Sequence, residues 1–305
     1  MAASSVPVIC GPTAAGKSAI AMRLAEAHGA LIVSADSRQV YKGFDVGTAK
    51  PTPEERARVP HRGLDVVEPT VRYSAASWAD DADQWLREAA GEGRPALVVG
   101  GTGFYLRALF APLFDAPPAD ASRRLALERE LGAFSTETLR RWCERLDPAR
   151  AHLGRTQLLR AVETALLHGE RLSEMHARRA RPARRVARYL VVDPGPGLGE
   201  RIRVRVVAML RGGWPEEVAA LAARVPADAP AWNASGYGVV RRLVAGALTH
   251  DAAVEQITIE TRQYAKRQRT WFRHQLPEAG VVRVNPDDPG CAAAVTEWWE
   301  RGGGT

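Results

Sequence analysis

The eight residues Gly11-Pro12-Thr13-Ala14-Ala15-Gly16-Lys17-Ser18 constrain this chain more than any other stretch. They fit G-x-x-x-x-G-K-[ST] without a mismatch, the pattern of a phosphate-binding loop. The flanks fit as well. Val6–Cys10 (VPVIC) is an apolar run that reads as a buried strand, and residues 19–27 (AIAMRLAEA) read as a helix. A strand, a glycine turn and a helix start aim several backbone N–H groups at one point, where the helix dipole adds positive potential. Lys17 is expected to reach a terminal phosphate and the Ser18 hydroxyl a Mg²⁺ ion. The motif says phosphate, not which phosphate compound.

Further strands extend the sheet. Residues 30–34 (ALIVS) read as a second strand that delivers Asp36-Ser37-Arg38-Gln39 at its carboxyl end, where open α/β sheets bind ligands. Asp36 then faces the phosphate loop, although a turn or cap aspartate is the plainer alternative. Residues 44–53 read as a loop and 56–69 as an irregular connection, with His61 a structural residue before a catalytic one. Residues 77–90 form an amphipathic helix with Trp78, Ala82, Trp85 and Ala89 on its buried face. Residues 95–99 (PALVV) form a buried strand ending in Gly100-Gly101-Thr102-Gly103, which places a second hydroxyl, Thr102, near the site. A helix over 104–109 comes next.

Beyond Pro112 the character changes. Residues 113–120 read as a linker, and 121–180 as helical throughout, Arg-rich and without a strand. Residues 186–192 (VARYLVV) return as a strand rejoining the first sheet. A helix over 199–210 carries Arg201, Arg205 and Met209 on one face. Ser235-Gly236-Tyr237-Gly238 is a turn opening a helix. The helix over 251–274 ends in TRQYAKRQRTWFR, where basic residues interleave with Tyr264, Trp271 and Phe272. That mixture suits nucleic acid, and a core helix with inward aromatics is the even alternative. Val281–Val284 and Cys291–Glu300 read as a last strand and helix. The fold expected is α/β: a P-loop NTPase-like core over 1–115 and 186–305, its mostly parallel sheet flanked by helices, with an inserted all-helical domain over 116–185.

Composition narrows the class. The chain has 305 residues, 46% hydrophobic and 25% charged, a globular balance. No apolar run approaches the roughly 20 residues of a membrane span. With no basic leader before the first strand, a cytoplasmic enzyme is expected. Cys10, Cys143 and Cys291 are too scattered for a disulfide framework or a cysteine zinc site. The net charge of +7 fits a polyanionic partner or a compositional drift toward arginine. Lysine occurs only at Lys17, Lys42, Lys50 and Lys266. A retained lysine in such a chain suggests a place that needs a compact ammonium.

In order along the chain, GPTAAGKS, ADSRQVYKGFDVGTAKP, PHRGLDVVEP, YSAASW, VVGGTGFYLRAL, GERIRVRVVAML, ASGY and TRQYAKRQRTWFR closely resemble the tRNA dimethylallyltransferases. The resemblance implies transfer of a dimethylallyl group from dimethylallyl diphosphate to N6 of adenine 37, beside the anticodon of tRNAs that read codons beginning with U. It implies that Gly11, Thr13, Ala14, Ala15, Gly16, Lys17 and Ser18 hold the diphosphate, with Mg²⁺ at Ser18. Asp36 would take the N6 proton, Thr102 would contact the base or the leaving group, and Arg205 would clamp the diphosphate. Contacts to tRNA are implied for Asp36, Ser37, Arg38, Gln39, Thr102, Arg124, Gln157, Arg160, Lys266 and Arg267. The target base must be flipped out of the anticodon stem-loop. Thr156-Gln157 replaces the Gln-Arg common in the family, which leaves Arg160 the firmer contact; Ala208 stands where a polar residue is common. A monomer is expected, since no heptad or apolar repeat points to self-association. The alternatives are a P-loop small-molecule kinase, which would bind ATP, and a free-AMP isopentenyltransferase, which would not need the basic helices.

Overall fold

A computed structural model of the chain describes residues 5–111, 113–114, 120–178, 180–181, 183–277 and 280–302. The chain divides into two compact units, Met1–Ala111 with Arg184–Thr305, and Pro112–Ala183.

The first unit is built on the glycine-loop strand. In chain order it holds β1 (Val6–Cys10), α1 (Lys17–His28), β2 (Leu31–Ser34), α2 (Pro53–Arg58), β3 (His61–Arg62), α3 (Ala75–Gly91), β4 (Ala96–Gly100) and α4 (Gly103–Phe110). After the insertion come β7 (Ala187–Val192), α9 (Leu198–Arg211), α10 (Trp214–Ala222), α11 (Tyr237–Val244), α12 (His250–Gln275), β8 (Val281–Val284) and α13 (Cys291–Glu300). The sheet is six-stranded and parallel in the order β3-β2-β4-β1-β7-β8. Val8 of β1 lies opposite Val98 on one side and Tyr189 on the other.

These strands read as continuous apolar runs because both faces of the sheet are covered. On one face Ile9, Leu97 and Leu190 pack against Ile20, Leu24 and Ala25 of α1 and Cys291, Val295 and Trp298 of α13. Trp78 of α3 is fully buried; it stacks on Tyr105 of α4, and its indole N–H donates to the Ser34 carbonyl (2.9 Å). The carboxyl ends of β1, β2 and β4, which are neighbours in the sheet, therefore bring three loops together: 11–18, 35–43 and 101–103.

The second unit holds β5 (Leu113–Phe114), α5 (Ala121–Gly132), α6 (Thr136–Leu146), α7 (Arg155–His168), α8 (Leu172–Arg178) and β6 (Ala180–Arg181). Leu131, Leu139, Cys143, Leu158, Ala161, Val162 and Leu172 form its core. Its helices carry local start signals: Ser135 accepts from the Thr138 N–H (3.1 Å), and buried Asp147 accepts from the Ser173 N–H (2.9 Å) and its hydroxyl (2.5 Å).

Three expectations need correction. The linker and helical stretch include a short antiparallel pair, β5 with β6. The connection over 56–69 is not irregular throughout. Thr52 and Glu55 close a capping box at the start of α2, with a proline in its first turn, and His61 starts β3 beside Ile32. Helix α10 is an addition to the expected elements, although Gly213-Trp214-Pro215-Glu216-Glu217 carries a proline and two acidic residues in its first turn.

Candidate active site

The glycine loop owes its path to steric demands. Gly11 adopts φ +143°, and a Cβ there would lie 2.2 Å from the Val192 carbonyl oxygen of neighbouring β7. Gly16 at φ +93° caps α1 from the left-handed region, and Ala14 at φ +61° shares that conformation. A non-glycine residue there costs about 1–3 kcal/mol and persists where surrounding structure holds it, often at functional sites. Lys17 opens α1 and curls back to donate from Nζ to the Pro12 carbonyl (2.6 Å). Burial, then the charge of Arg205, push its ammonium down to about 8, while Asp36 works in the opposite sense. Burial likewise holds Arg205 below its usual range, again opposed by Asp36.

Lys17 and Arg205 line the same cavity. Among the described residues neither has a carboxylate within salt-bridge distance, whereas Arg201 one turn before Arg205 is paired with Asp287. Placing two cations together without a paired anion is costly in a half-buried site, and an incoming anion repays that cost. The Ser18 hydroxyl is exposed and has no intramolecular partner among the described residues. Magnesium keeps several waters and binds through one or two protein groups plus phosphate oxygens. The Ser18 hydroxyl beside the glycine loop fits that mode. No cluster of three or more His, Cys, Asp or Glu among the described residues offers an all-protein site.

At the end of β2, Asp36 makes a tight turn in which Oδ1 accepts from the Arg38 N–H (2.8 Å). The Thr102 hydroxyl accepts from the Ser37 N–H (3.0 Å), and the Thr102 N–H donates to the Ala35 carbonyl (3.2 Å). Thr102 thus braces the Asp36 turn from β4. Gln39 is turned inward: it accepts from the Ser34 hydroxyl (2.8 Å) and donates to the carbonyls of Thr48 (3.1 Å) and Ala49 (3.0 Å). Its amide organises the loop.

Two further residues, absent from the predicted site, hold that loop. Buried Lys50 donates to the Tyr41 carbonyl (2.6 Å) and pairs with Asp45 (2.6 Å) and Asp65 (2.5 Å). Glu217 of α10 accepts from the N–H groups of Asp45 (2.8 Å) and Val46 (2.6 Å) and from the Tyr237 hydroxyl (2.6 Å). His61 donates from Nδ1 to the Val59 carbonyl (2.8 Å), and burial lowers its pKa, so it is held neutral as an anchor.

These loops enclose a cavity of about 780 Å³. Lys17, Ser18, Asp36, Arg38, Arg205 and Arg267 supply its polar wall, and Met22, Ile32, Val206, Met209, Trp214 and Ile257 its apolar wall. A second cavity of about 630 Å³ meets the other side of the glycine loop, and Lys17, Ser18 and Arg205 line both.

The basic residues of helix α12 divide their work. Arg269 forks onto Asp193 (2.9 Å from Nε) and the Gly195 carbonyl (2.5 Å), and Arg262 donates to the Gly199 carbonyl (3.2 Å). Phe272 is buried, and Trp271 lies against Gly103, where a Cβ would come within 2.3 Å of its ring. Phe272 thus belongs to the core, while Trp271 is half-buried against the Gly103 turn. Lys266 and Arg267 remain exposed, with Arg267 5.8 Å over the Tyr264 ring. In the helical unit, Arg124 (2.9 Å) and Arg160 (3.0 Å) share the two oxygens of buried Glu163. Gln157 accepts from the Gly154 N–H (3.1 Å) and caps α7. Arg155 reaches back to the Phe134 (2.6 Å) and Gly132 (2.8 Å) carbonyls, so part of the arginine content ties helix ends.

The family model for IPP transferases matches residues 39–275, and a model for isopentenyl transferases matches residues 4–72. The chain belongs to the IPP transferase family. A tRNA dimethylallyltransferase of Deinococcus radiodurans is 40% identical over 99% of this chain and 99% of its own. One from an Anaeromyxobacter species is 44% identical over 92% and 94%. Among solved structures, a tRNA isopentenylpyrophosphate transferase from Staphylococcus epidermidis covers 97% of both chains at 27% identity and a TM-score of 0.66. A eukaryotic dimethylallyltransferase acting on tRNA shares the fold, with a TM-score of 0.76 at 23% identity.

Proposed function

We propose that this IPP transferase moves a dimethylallyl group from dimethylallyl diphosphate to the N6 amine of adenine 37 in tRNA, giving N6-(dimethylallyl)adenosine. The observation that carries the reading is the placement of Lys17 and Arg205, unpaired and half-buried, beside Asp36 in a cavity with one apolar wall. A kinase would need a lid and a nucleotide site; here the space against the glycine loop is walled by Met22, Val206, Met209 and Ile257.

In this mechanism the loop N–H groups, Lys17 and Arg205 bind the diphosphate and stabilise the charge that gathers on it as the allylic C–O bond breaks. The adenine N6 lone pair forms the new bond to the allylic carbon. Its proton passes to the Asp36 carboxylate, a transfer that depends on position. Asp36 is positioned for it by the Arg38 N–H and by Thr102 through Ser37. The apolar wall keeps water from the cationic carbon. The Ser18 hydroxyl would hold Mg²⁺, which when bound neutralises diphosphate charge. Lys266, Arg267, Arg124 and Arg160 supply phosphate contacts to the tRNA.

The test supplies labelled dimethylallyl diphosphate and Mg²⁺ with unmodified tRNA, with AMP, or with ATP alone. Label in tRNA adenine supports the reading. Label only in AMP, or ATP consumption without transfer, overturns it.

A further inference from the structure

Gln268 lies on α12, far in sequence from the loops that do the chemistry, yet it is 6% exposed and both of its side-chain polar atoms are hydrogen-bonded. Buried amides are kept where each polar atom has a partner. Its Oε1 accepts from the Thr13 N–H (2.8 Å), and its Nε2 donates to the Gly101 carbonyl (2.9 Å). Thr13 belongs to the glycine loop after β1, and Gly101 to the turn after β4, and these strands lie side by side with Cys10 opposite Gly100. Among the described residues, Gln268 is the side chain that bonds both loops. Gly101 makes room for it, since a Cβ there would lie 2.3 Å from Nε2. One helical turn earlier, Tyr264 lines the cavity that Asp36 also lines, and Thr102, next to Gly101, holds the Ser37 N–H beside Asp36. The Thr13 N–H is thus bonded to Gln268, while Thr13 itself lines the cavity.

We infer that Gln268 is a positioning residue that sets the separation between the diphosphate loop and the Asp36–Thr102 loop, and hence between donor carbon and accepting amine. The inference rests on the prenyl-transfer reading above. It places the register of the reaction on the helix that also exposes Lys266 and Arg267 to RNA.

The test compares the full-length parent with Gln268→Met and Gln268→Glu, with active sites titrated so that rates refer to folded enzyme. Gln268→Met keeps the length of the side chain and removes both bonds. It should lower kcat about 10- to 100-fold, the worth of two hydrogen bonds, with the tRNA dissociation constant unchanged. In Gln268→Glu the introduced carboxyl accepts from Thr13 at any pH but donates to Gly101 only when protonated. Its rate relative to the parent should therefore rise as pH is lowered. Lys17, Arg38, Arg205 and Arg267 oppose that protonation, while Asp36 favours it; Tyr264 stays neutral, its phenol pushed up to about 12. A parental kcat with only a lower Tm would reduce Gln268 to packing, and a weakened tRNA dissociation constant with parental kcat would make it an RNA contact; either overturns the inference. Failure of the parent itself to transfer label would instead overturn the functional reading.

Discussion

Replacing Lys17 by methionine should stabilise the protein while destroying its donor site. Burial and Arg205 lower the Lys17 pKa from 10.5 to about 8. A fall of that size corresponds to about 3 kcal/mol of folding free energy spent on holding the ammonium. Methionine removes that cost but loses the hydrogen bond to the Pro12 carbonyl, worth about 1 kcal/mol, for a net gain of about 2 kcal/mol. The sign with pH is set by the direction of the shift. Because the folded pKa is the lower, the unfolded chain binds more protons between about pH 8 and 10.5. The cost is full below that window and fades as pH rises through it. Thermal unfolding at pH 7 should show Lys17→Met melting about 4 °C above the parent, with the gap closing toward pH 10. Inorganic pyrophosphate should raise the Tm of the parent and leave that of Lys17→Met unmoved. A lower Tm for the variant at pH 7, a gap independent of pH, or equal stabilisation by pyrophosphate would refute the reasoning.

Other perturbations test the scaffold and the RNA surface. Lys50→Met leaves Asp45 and Asp65 without their shared ammonium and should cost about 3 kcal/mol in urea unfolding; Lys50→Arg should fail to rescue it, because the planar fork does not fit a pocket shaped for a compact donor. Arg124→Ala and Arg160→Ala should each weaken tRNA binding and reduce the slope of log affinity against log salt by about 1, which filter binding over a salt series would read.

The glycine loop was legible because each of its demands is local. Gly11 and Gly16 need positive φ, and Lys17 and Ser18 open a helix directly behind them. Asp36 and Thr102 were legible for a related reason: each comes just after a buried apolar strand, and parallel strands deliver their carboxyl-terminal loops to one edge of the sheet. Gln268 and Glu217 were not legible as site residues. Their partners lie 255 and 172 residues away, and no periodicity links such positions. The aromatic run of α12 was ambiguous for a different reason. Helical spacing shows that Trp271 and Phe272 occupy particular faces of the helix, but only the packing of Gly103 against the Trp271 ring reveals which face is inward. For Gln39 the resemblance implied an RNA contact; in the fold its amide closes the 39–49 loop, a role set by carbonyls that no sequence pattern marks.

The central claim, that Asp36 receives the N6 proton beside a cation-lined diphosphate site, is tested most directly by a single-turnover transfer rate. Parent and Asp36→Asn are each loaded with tRNA and mixed with labelled dimethylallyl diphosphate and Mg²⁺. The account predicts an unchanged tRNA dissociation constant and a transfer rate lower by about 10²- to 10⁴-fold, the range for a lost general base. An asparagine variant that transfers at the parental rate would contradict it.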